Sequence, residues 1–229
     1  MKIVIIPDVH GRQFWTKIKN RIDEFDKIIF LGDYLDQYPN ELISNEDSIA
    51  NFQEILEFAE ENPNKVILLK GNHDEFYTNR NRDCCRHDYG NWGRINTLFN
   101  DYKYLFKYGH IEDGVLFTHA GVTSEWIWQN DLEYLNESNV EEFLNSNPEE
   151  IWQIGESRGG YSGIGSPIWC CAYSDWPKCH NPFNLIQIFG HSQQWYTGTK
   201  MSFCNNTCHC IDSRAIFIWE NNELKLLEL

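Results

Sequence analysis

The apolar residues of this chain fall in short, dense runs separated by polar turns that carry glycine. Lys2 to Pro7 (KIVIIP), Lys27 to Leu31 (KIIFL) and Lys65 to Leu69 (KVILL) have the character of buried strands. Between the first two, Trp15, Ile18 and Ile22 recur at helical spacing within Arg12 to Glu24. Between the second and third, Ile49, Phe52, Leu56 and Ala59 share one helical face. Ser44 and Asp47 give that helix a start resembling a capping box, and Asn62-Pro63 gives it a stop. The opening therefore reads β-α-β-α-β, which favours parallel strands with right-handed crossovers. Further strands are predicted at Val115 to Thr118, Leu185 to Phe189, Ala215 to Trp219 and Leu224 to Leu227. The stretch from about Trp126 to Trp176 is rich in Trp, Asn, Glu and Gly and reads as helices followed by loops. No clean boundary interrupts the pattern. The expectation is one α/β domain over residues 1–229, with a cap or loop insertion at about 122–182.

Composition narrows the function classes. Hydrophobic residues make up 41% of the chain and aromatic residues 15%, enough for a sizeable core. Lys plus Arg is 19 and Asp plus Glu is 34, so the formal charge is 19 − 34 = −15. A surface this acidic repels nucleic acid, so no duplex partner is expected. Phosphate substrates are not excluded, because bound cations can reverse the local field. No apolar run is long enough for a membrane span, and no membrane partner is expected. Met1 to Pro7 runs straight into Asp8 without a small-residue cleavage site, so it reads as a first core strand, and a cytoplasmic location is expected. The eight cysteines, Cys84, Cys85, Cys170, Cys171, Cys179, Cys204, Cys208 and Cys210, read mostly as reduced thiols. Cys204, Cys208, His209 and Cys210, with Cys179 or His180, could make a zinc cluster; the rival reading is a hairpin of buried thiols. The tryptophans Trp126, Trp128, Trp152, Trp169, Trp176 and Trp195 read as core and cap packing, with a stacking platform as the alternative.

Five polar motifs each follow an apolar strand directly. They are Asp8-Val9-His10-Gly11, Gly32-Asp33-Tyr34-Leu35-Asp36, Gly71-Asn72-His73-Asp74, His119-Ala120-Gly121 and Gly190-His191. In open α/β sheets, ligands bind beyond the carboxyl ends of strands. Carboxylate and amide oxygens together with imidazoles suit Mn, Fe or Zn. Taken singly, each motif could be a helix cap, an ordinary turn or a core histidine. Five of them in strand-end positions favour a site.

The order DxHG, GDxxD, GNHD, HAG, GH resembles the calcineurin-like metallophosphoesterase superfamily. Within it the chain is most similar to the phosphoprotein-phosphatase branch of bacterial and phage type, and also to the symmetrical dinucleoside tetraphosphatases. Cys210-Ile211-Asp212-Ser213-Arg214-Ala215 resembles that family's near-C-terminal "IDTGA" strand. The resemblance implies a four-layer α/β/β/α sandwich and two divalent ions, Mn first, with Fe, Zn or Ni as alternatives. It implies that Asp8 and His10 hold one metal, that Asp33 bridges both, and that Asn72, His119 and His191 hold the other. His73 would be the general acid, oriented by Asp36, and Asn72 would also face the substrate.

The chain also departs from the pattern. His191 is followed by Ser192-Gln193, so the second His of a diesterase GHxH is missing. Asp36-Gln37 stands where the phosphoprotein-phosphatase branch has Asp-Arg-Gly, and Ser166-Pro167-Ile168-Trp169 is not followed by Arg. The arginines that grip phosphate must come from elsewhere, and Arg12, Arg94 and Arg158 are the candidates by position. The expected activity is metal-dependent hydrolysis of phosphate monoesters, on a phosphorylated protein or a small phosphoester. A dinucleoside polyphosphate or nucleotide hydrolase is the alternative enzyme, and a non-catalytic scaffold is the rival of another class.

Overall fold

The computed structural model describes residues 1–79 and 85–228. Residues 1–106 and 214–229 form one compact unit, and residues 107–213 form a second.

In the first unit, β1 (Ile3–Ile6) pairs in parallel with β2 (Lys27–Phe30), and β2 with β3 (Val66–Leu69), as the three apolar runs predict. Every residue of β1 is buried, which is why it reads as a continuous apolar run rather than an alternating one. The connection from β1 to β2 is a series of 3-10 turns over Phe14–Glu24. Its core residues Trp15 and Ile18 stand three apart, the repeat of a 3-10 helix, so the expected helix forms with a tighter winding. The Trp15 indole donates to the Asn51 amide oxygen at 2.9 Å, which satisfies the one polar atom of a fully buried ring. Asn51 belongs to α1 (Asn45–Glu61). The cap of α1 is the predicted one: the Ser44 hydroxyl accepts from the Asp47 N–H at 3.1 Å. After β3 come α2 (Asn72–Thr78), α3 (Trp92–Asp101) and the short β4 (Phe106–Lys107).

The second unit has its own sheet: β5 (Gly109–Glu112), β6 (Val115–Thr118), β7 (Ile186–Phe189), β8 (Met201–Phe203) and β9 (Cys208–Cys210), in the order β5-β6-β7-β9-β8. The stretch between β6 and β7 carries α4 (Ser124–Gln129), α5 (Val140–Asn145) and short 3-10 turns. Trp126, Leu144 and Ile168 belong to its apolar core. A buried glutamine ties this stretch to the sheet. Val122 N–H donates to Gln187 Oε1 at 2.8 Å, and Gln187 Nε2 donates to Val122 C=O at 2.8 Å and Asn181 Oδ1 at 2.7 Å.

The chain returns to the first sheet with β10 (Phe217–Glu220) and β11 (Glu223–Leu226), giving six strands in the order β11-β10-β1-β2-β3-β4. Two sheets with helices are the mixed α/β architecture expected of the resemblance. No helix among the described residues is long and apolar enough to cross a membrane.

The cysteine-rich stretch is the β8–β9 hairpin, with Phe203 opposite Cys208 and Met201 opposite Cys210. Alternation puts Cys208 and Cys210 on one face, packed with Trp176 and Phe189, and His209 on the other, beside the Ser202 hydroxyl at 2.9 Å. Among the described residues, no group of three close metal-ligand side chains includes a cysteine. The buried-thiol hairpin is thus the arrangement found. Seven of the cysteines are thiols, and Cys84 lies outside the described residues. Trp126 and Trp176 are core residues, whereas Trp128 and Trp195 are exposed.

Candidate active site

In the first unit the sheet edge gathers Asp8, His10, Asp33, Asp36, Asn72 and His73, all buried. Backbone bonds lace their turns together. The N–H groups of Val9 and His10 both donate to the Asp33 carbonyl, at 3.1 and 2.7 Å, and Gly11 N–H donates to the Tyr34 carbonyl at 2.8 Å. Gly32 permits the close approach: at φ +104°, a Cβ there would lie 2.4 Å from the Gly71 nitrogen. Asp74 is the anchor. Its carboxylate accepts from the N–H groups of Asp33 and Gly71 at 2.8 Å and of Tyr34 at 3.1 Å. The last residue of the Gly-Asn-His-Asp motif therefore serves the backbone.

His10 Nδ1 donates to the Leu35 carbonyl at 2.7 Å, which fixes the tautomer and leaves the Nε2 lone pair 3.6 Å from Asp33 Oδ2. Burial holds His10 well below the usual imidazole value, with His73, Arg12 and Arg86 adding to the effect, so the ring is neutral and can ligate. The other oxygen of Asp33 accepts from the His73 N–H at 3.0 Å. His10, Asp33 and His73 offer ligand atoms within 4.8 Å of one another, and so do Asp36, His73 and His87. Hard oxygens and imidazole nitrogens buried this close are the donor set a divalent transition metal takes.

His73 Nδ1 meets Asp36 Oδ2 at 2.7 Å. Asp36 is itself held by the Tyr77 hydroxyl, and His87 Nε2 lies 3.5 Å away. Burial pushes Asp36 up to about 7, against the pull of Tyr77, His87 and Arg86. His10, Asp33 and Asp36 all hold left-handed backbone angles, at φ +44°, +53° and +61°. Non-glycine residues there are strained, and such strain clusters at functional sites.

In the second unit, β6 leads into His119 and β7 into His191. His119 Nε2 and His191 Nδ1 stand 3.2 Å apart, and the Gly190 N–H donates to the His119 carbonyl at 2.8 Å. The Cys210 thiol donates to the Gly190 carbonyl at 3.2 Å, and Trp169 lies edge-on to His191. His191, too, is left-handed, at φ +65°.

The three candidate arginines diverge. Arg12 lies beside the first cluster: Nη1 donates to the Asp8 carbonyl at 3.3 Å and Nε to Glu41 at 2.8 Å. Arg158 Nη2 donates to the Ser192 hydroxyl at 2.9 Å, next in sequence to His191. Arg94 is not brought to either cluster. Its side chain is 45% exposed on α3 and pairs with Glu46 at 2.7 Å. Gln37 is turned to Asn45 at 2.6 Å. Sequence reasoning missed Arg86, Tyr77 and His87. Tyr77 follows His73 by one helical turn, a readable signal; Arg86 and His87 lie in a polar stretch without periodicity.

The calcineurin-like phosphoesterase family model matches residues 1–194. The chain belongs to the calcineurin-like phosphoesterase family. No curated protein matches its sequence. Among solved structures, the cold-active protein-tyrosine phosphatase of a psychrophilic Shewanella species matches with a TM-score of 0.60 at 15% identity, over 99% of this chain and 80% of that one. A protein serine/threonine phosphatase from Saccharomyces cerevisiae matches with a TM-score of 0.58 at 14% identity, over 99% of this chain and 79% of that one. At such identities these two show a shared fold. Family membership supports phosphoesterase activity and implies divalent metal ions.

Proposed function

We propose that the chain is a metal-dependent phosphatase acting on phosphate monoesters, with phosphorylated serine, threonine or tyrosine side chains as its substrates. Asp8, His10 and Asp33 would hold one ion; Asn72, His119 and His191, with Asp33, would hold the other. This ligand set rests on the family pattern. When bound, such ions lower the pKa of water and neutralise phosphoryl oxygens.

One observation carries the reading. The His73–Asp36 pair sits against the Asp33 carboxylate, with Nδ1 to Oδ2 at 2.7 Å and the His73 N–H on Asp33 Oδ1 at 3.0 Å. A proton donor and a ligand carboxylate thus share one rigid corner. Asp36 accepts the hydrogen bond from His73 Nδ1–H, so His73 presents Nε2, the atom that would pass a proton to the departing oxygen. Tyr77 holds Asp36 in turn. His10 is tied through Nδ1 to Leu35, so only its Nε2 is available to a cation.

The protein phosphatases that share the fold make phosphoproteins the first substrate class to try. Gln193, where a diesterase would have its last His, also favours monoesters. The test is a panel with Mn present: phosphoserine, phosphothreonine and phosphotyrosine peptides, p-nitrophenyl phosphate, its bis ester and diadenosine tetraphosphate. Preference for the monoesters is expected. Preference for the bis ester or for diadenosine tetraphosphate would overturn the substrate class, and turnover of none would favour a scaffold.

A further inference from the structure

The arginine fork expected after Asp36 is missing, and Gln37 is engaged with Asn45. Another cation nevertheless occupies that corner. The Arg86 guanidinium lies 4.0 Å from the centre of the Tyr38 ring, and the Arg12 guanidinium lies 5.2 Å from the same ring. We propose that Arg86 and Arg12, held on Tyr38, form the site that grips the phosphate dianion. This rests on the monoesterase reading above and names the residues that would set its preference for a doubly charged phosphoryl group.

Three observations converge on Arg86. Its Nε donates to the Asp36 carbonyl at 3.0 Å, which locks the guanidinium plane to the backbone of the proton-relay residue. Its Nη2 lies 3.5 Å from His73 Nε2, the atom that would meet the leaving oxygen. Its backbone is left-handed at φ +66°, the conformation that His10, Asp33 and Asp36 share. Among the described residues, no carboxylate pairs with its guanidinium.

Arg12 supplies the second half. Its side chain is 10% exposed, its Nε donates to Glu41, and its buried Nη2 donates to no described residue. A buried donor left unmade is unfavourable, and an anion's oxygen satisfies it. The His10 ring stands edge-on to Tyr38 with centroids 5.2 Å apart, so the aromatic support of both arginines touches a ligand residue. Two guanidinium groups on one ring repel each other, and a dianion between their N–H groups relieves that repulsion. A planar fork matches two phosphate oxygens at once. A phosphodiester carries one negative charge and has less to gain.

The experiment compares Mn-loaded wild-type protein with Arg86→Ala, Arg86→Lys and Arg12→Ala. Calorimetry gives the Kd for inorganic phosphate, and kinetics give KM and kcat for p-nitrophenyl phosphate and its bis ester. Arg86→Ala should weaken phosphate about 10- to 100-fold and raise KM for the monoester by a similar factor, as expected for a lost charged hydrogen bond. The bis ester should change by less than about threefold, because it never engaged both cations. Arg86→Lys keeps charge and stem but loses the fork, so it should fold and still bind phosphate several-fold more weakly. Phosphate affinity unchanged in Arg86→Lys, and in Arg86→Ala where that variant folds, overturns the assignment, as does wild-type protein that binds no phosphate. Wild-type protein that binds phosphate through Arg86 yet hydrolyses neither ester would leave the clamp standing and remove the monoesterase reading.

Discussion

The polar cluster of the first unit and that of the second are built on different principles. In the first, polar side chains brace the cluster: the Asp74 carboxylate accepts from three backbone N–H groups, and Asp36 is held by His73 and Tyr77. In the second, the strand ends do most of the work. His119 and His191 follow neighbouring parallel strands, and one backbone bond between their turns brings the rings together. The lesson is that a cluster carrying several carboxylates needs dedicated partners for each, because buried charge without them is costly. The two imidazoles of the second cluster are delivered by adjacent strand ends.

The largest expected effect lies in the braced cluster. His73→Asn should slow phosphoserine hydrolysis by about 10²–10⁴-fold. It should slow p-nitrophenyl phosphate much less, because nitrophenolate departs without a proton. Metal content should stay unchanged. Equal losses on both substrates would mean that His73 acts through binding, and loss of a metal would make it a ligand.

Next comes the brace itself. Asp74→Ala strands three buried N–H groups and should cost about 3–5 kcal/mol of stability, read by urea unfolding. A loss under about 1 kcal/mol would show that water replaces the carboxylate without penalty. In the second unit the comparable buried partner is Gln187. Gln187→Leu should cost less, about 1–3 kcal/mol, because only the Val122 and Asn181 contacts are lost. A larger loss than Asp74→Ala would reverse the comparison.

A smaller effect is tied to pH. Burial alone would raise the Glu141 carboxyl, but the His110 ring, the Ile111 N–H and Lys107 outweigh it and hold the group at about 2, against an ordinary 4.5. A depressed carboxyl favours the folded state above the unfolded pKa. The contribution is therefore present above about pH 4.5 and is lost as the pH falls through about 2. Glu141→Gln should flatten the stability profile over that window. At neutral pH the change should be only a few tenths of a kcal/mol, as is usual for a partly exposed ion pair. An unchanged acid profile would show that Glu141 is not held as described.

The strands legible as apolar runs are those whose own residues are buried, β1, β2, β3, β6, β7 and β10, whereas β11 buries only Leu224 and is legible from its alternation. The short β4 pairs only Phe106 and Lys107, and β5 reads Gly-His-Ile-Glu, so their partners rather than their side chains create them. The β9 strand reads Cys-His-Cys, which suggests metal before it suggests a strand. Within the site, Asp8, His10, Asp33, Asp36, Asn72 and His73 were readable because each follows an apolar run. Arg86 was not, since its place depends on Asp36 and Tyr38, about fifty positions earlier in the chain. Asp74 was readable as part of a motif, but its task is visible only in the N–H groups it accepts.

The central claim is that buried carboxylates and imidazoles hold metal for phosphoester hydrolysis. Elemental analysis of the purified protein, with chelated and Mn-restored samples assayed in parallel on p-nitrophenyl phosphate, tests it most directly. The account predicts about two transition-metal ions per chain, with turnover lost on chelation and regained with Mn. It also predicts that Asp33→Asn binds less metal and loses several orders of magnitude in activity. Wild-type protein that holds no transition metal and gains no activity with Mn would contradict the claim.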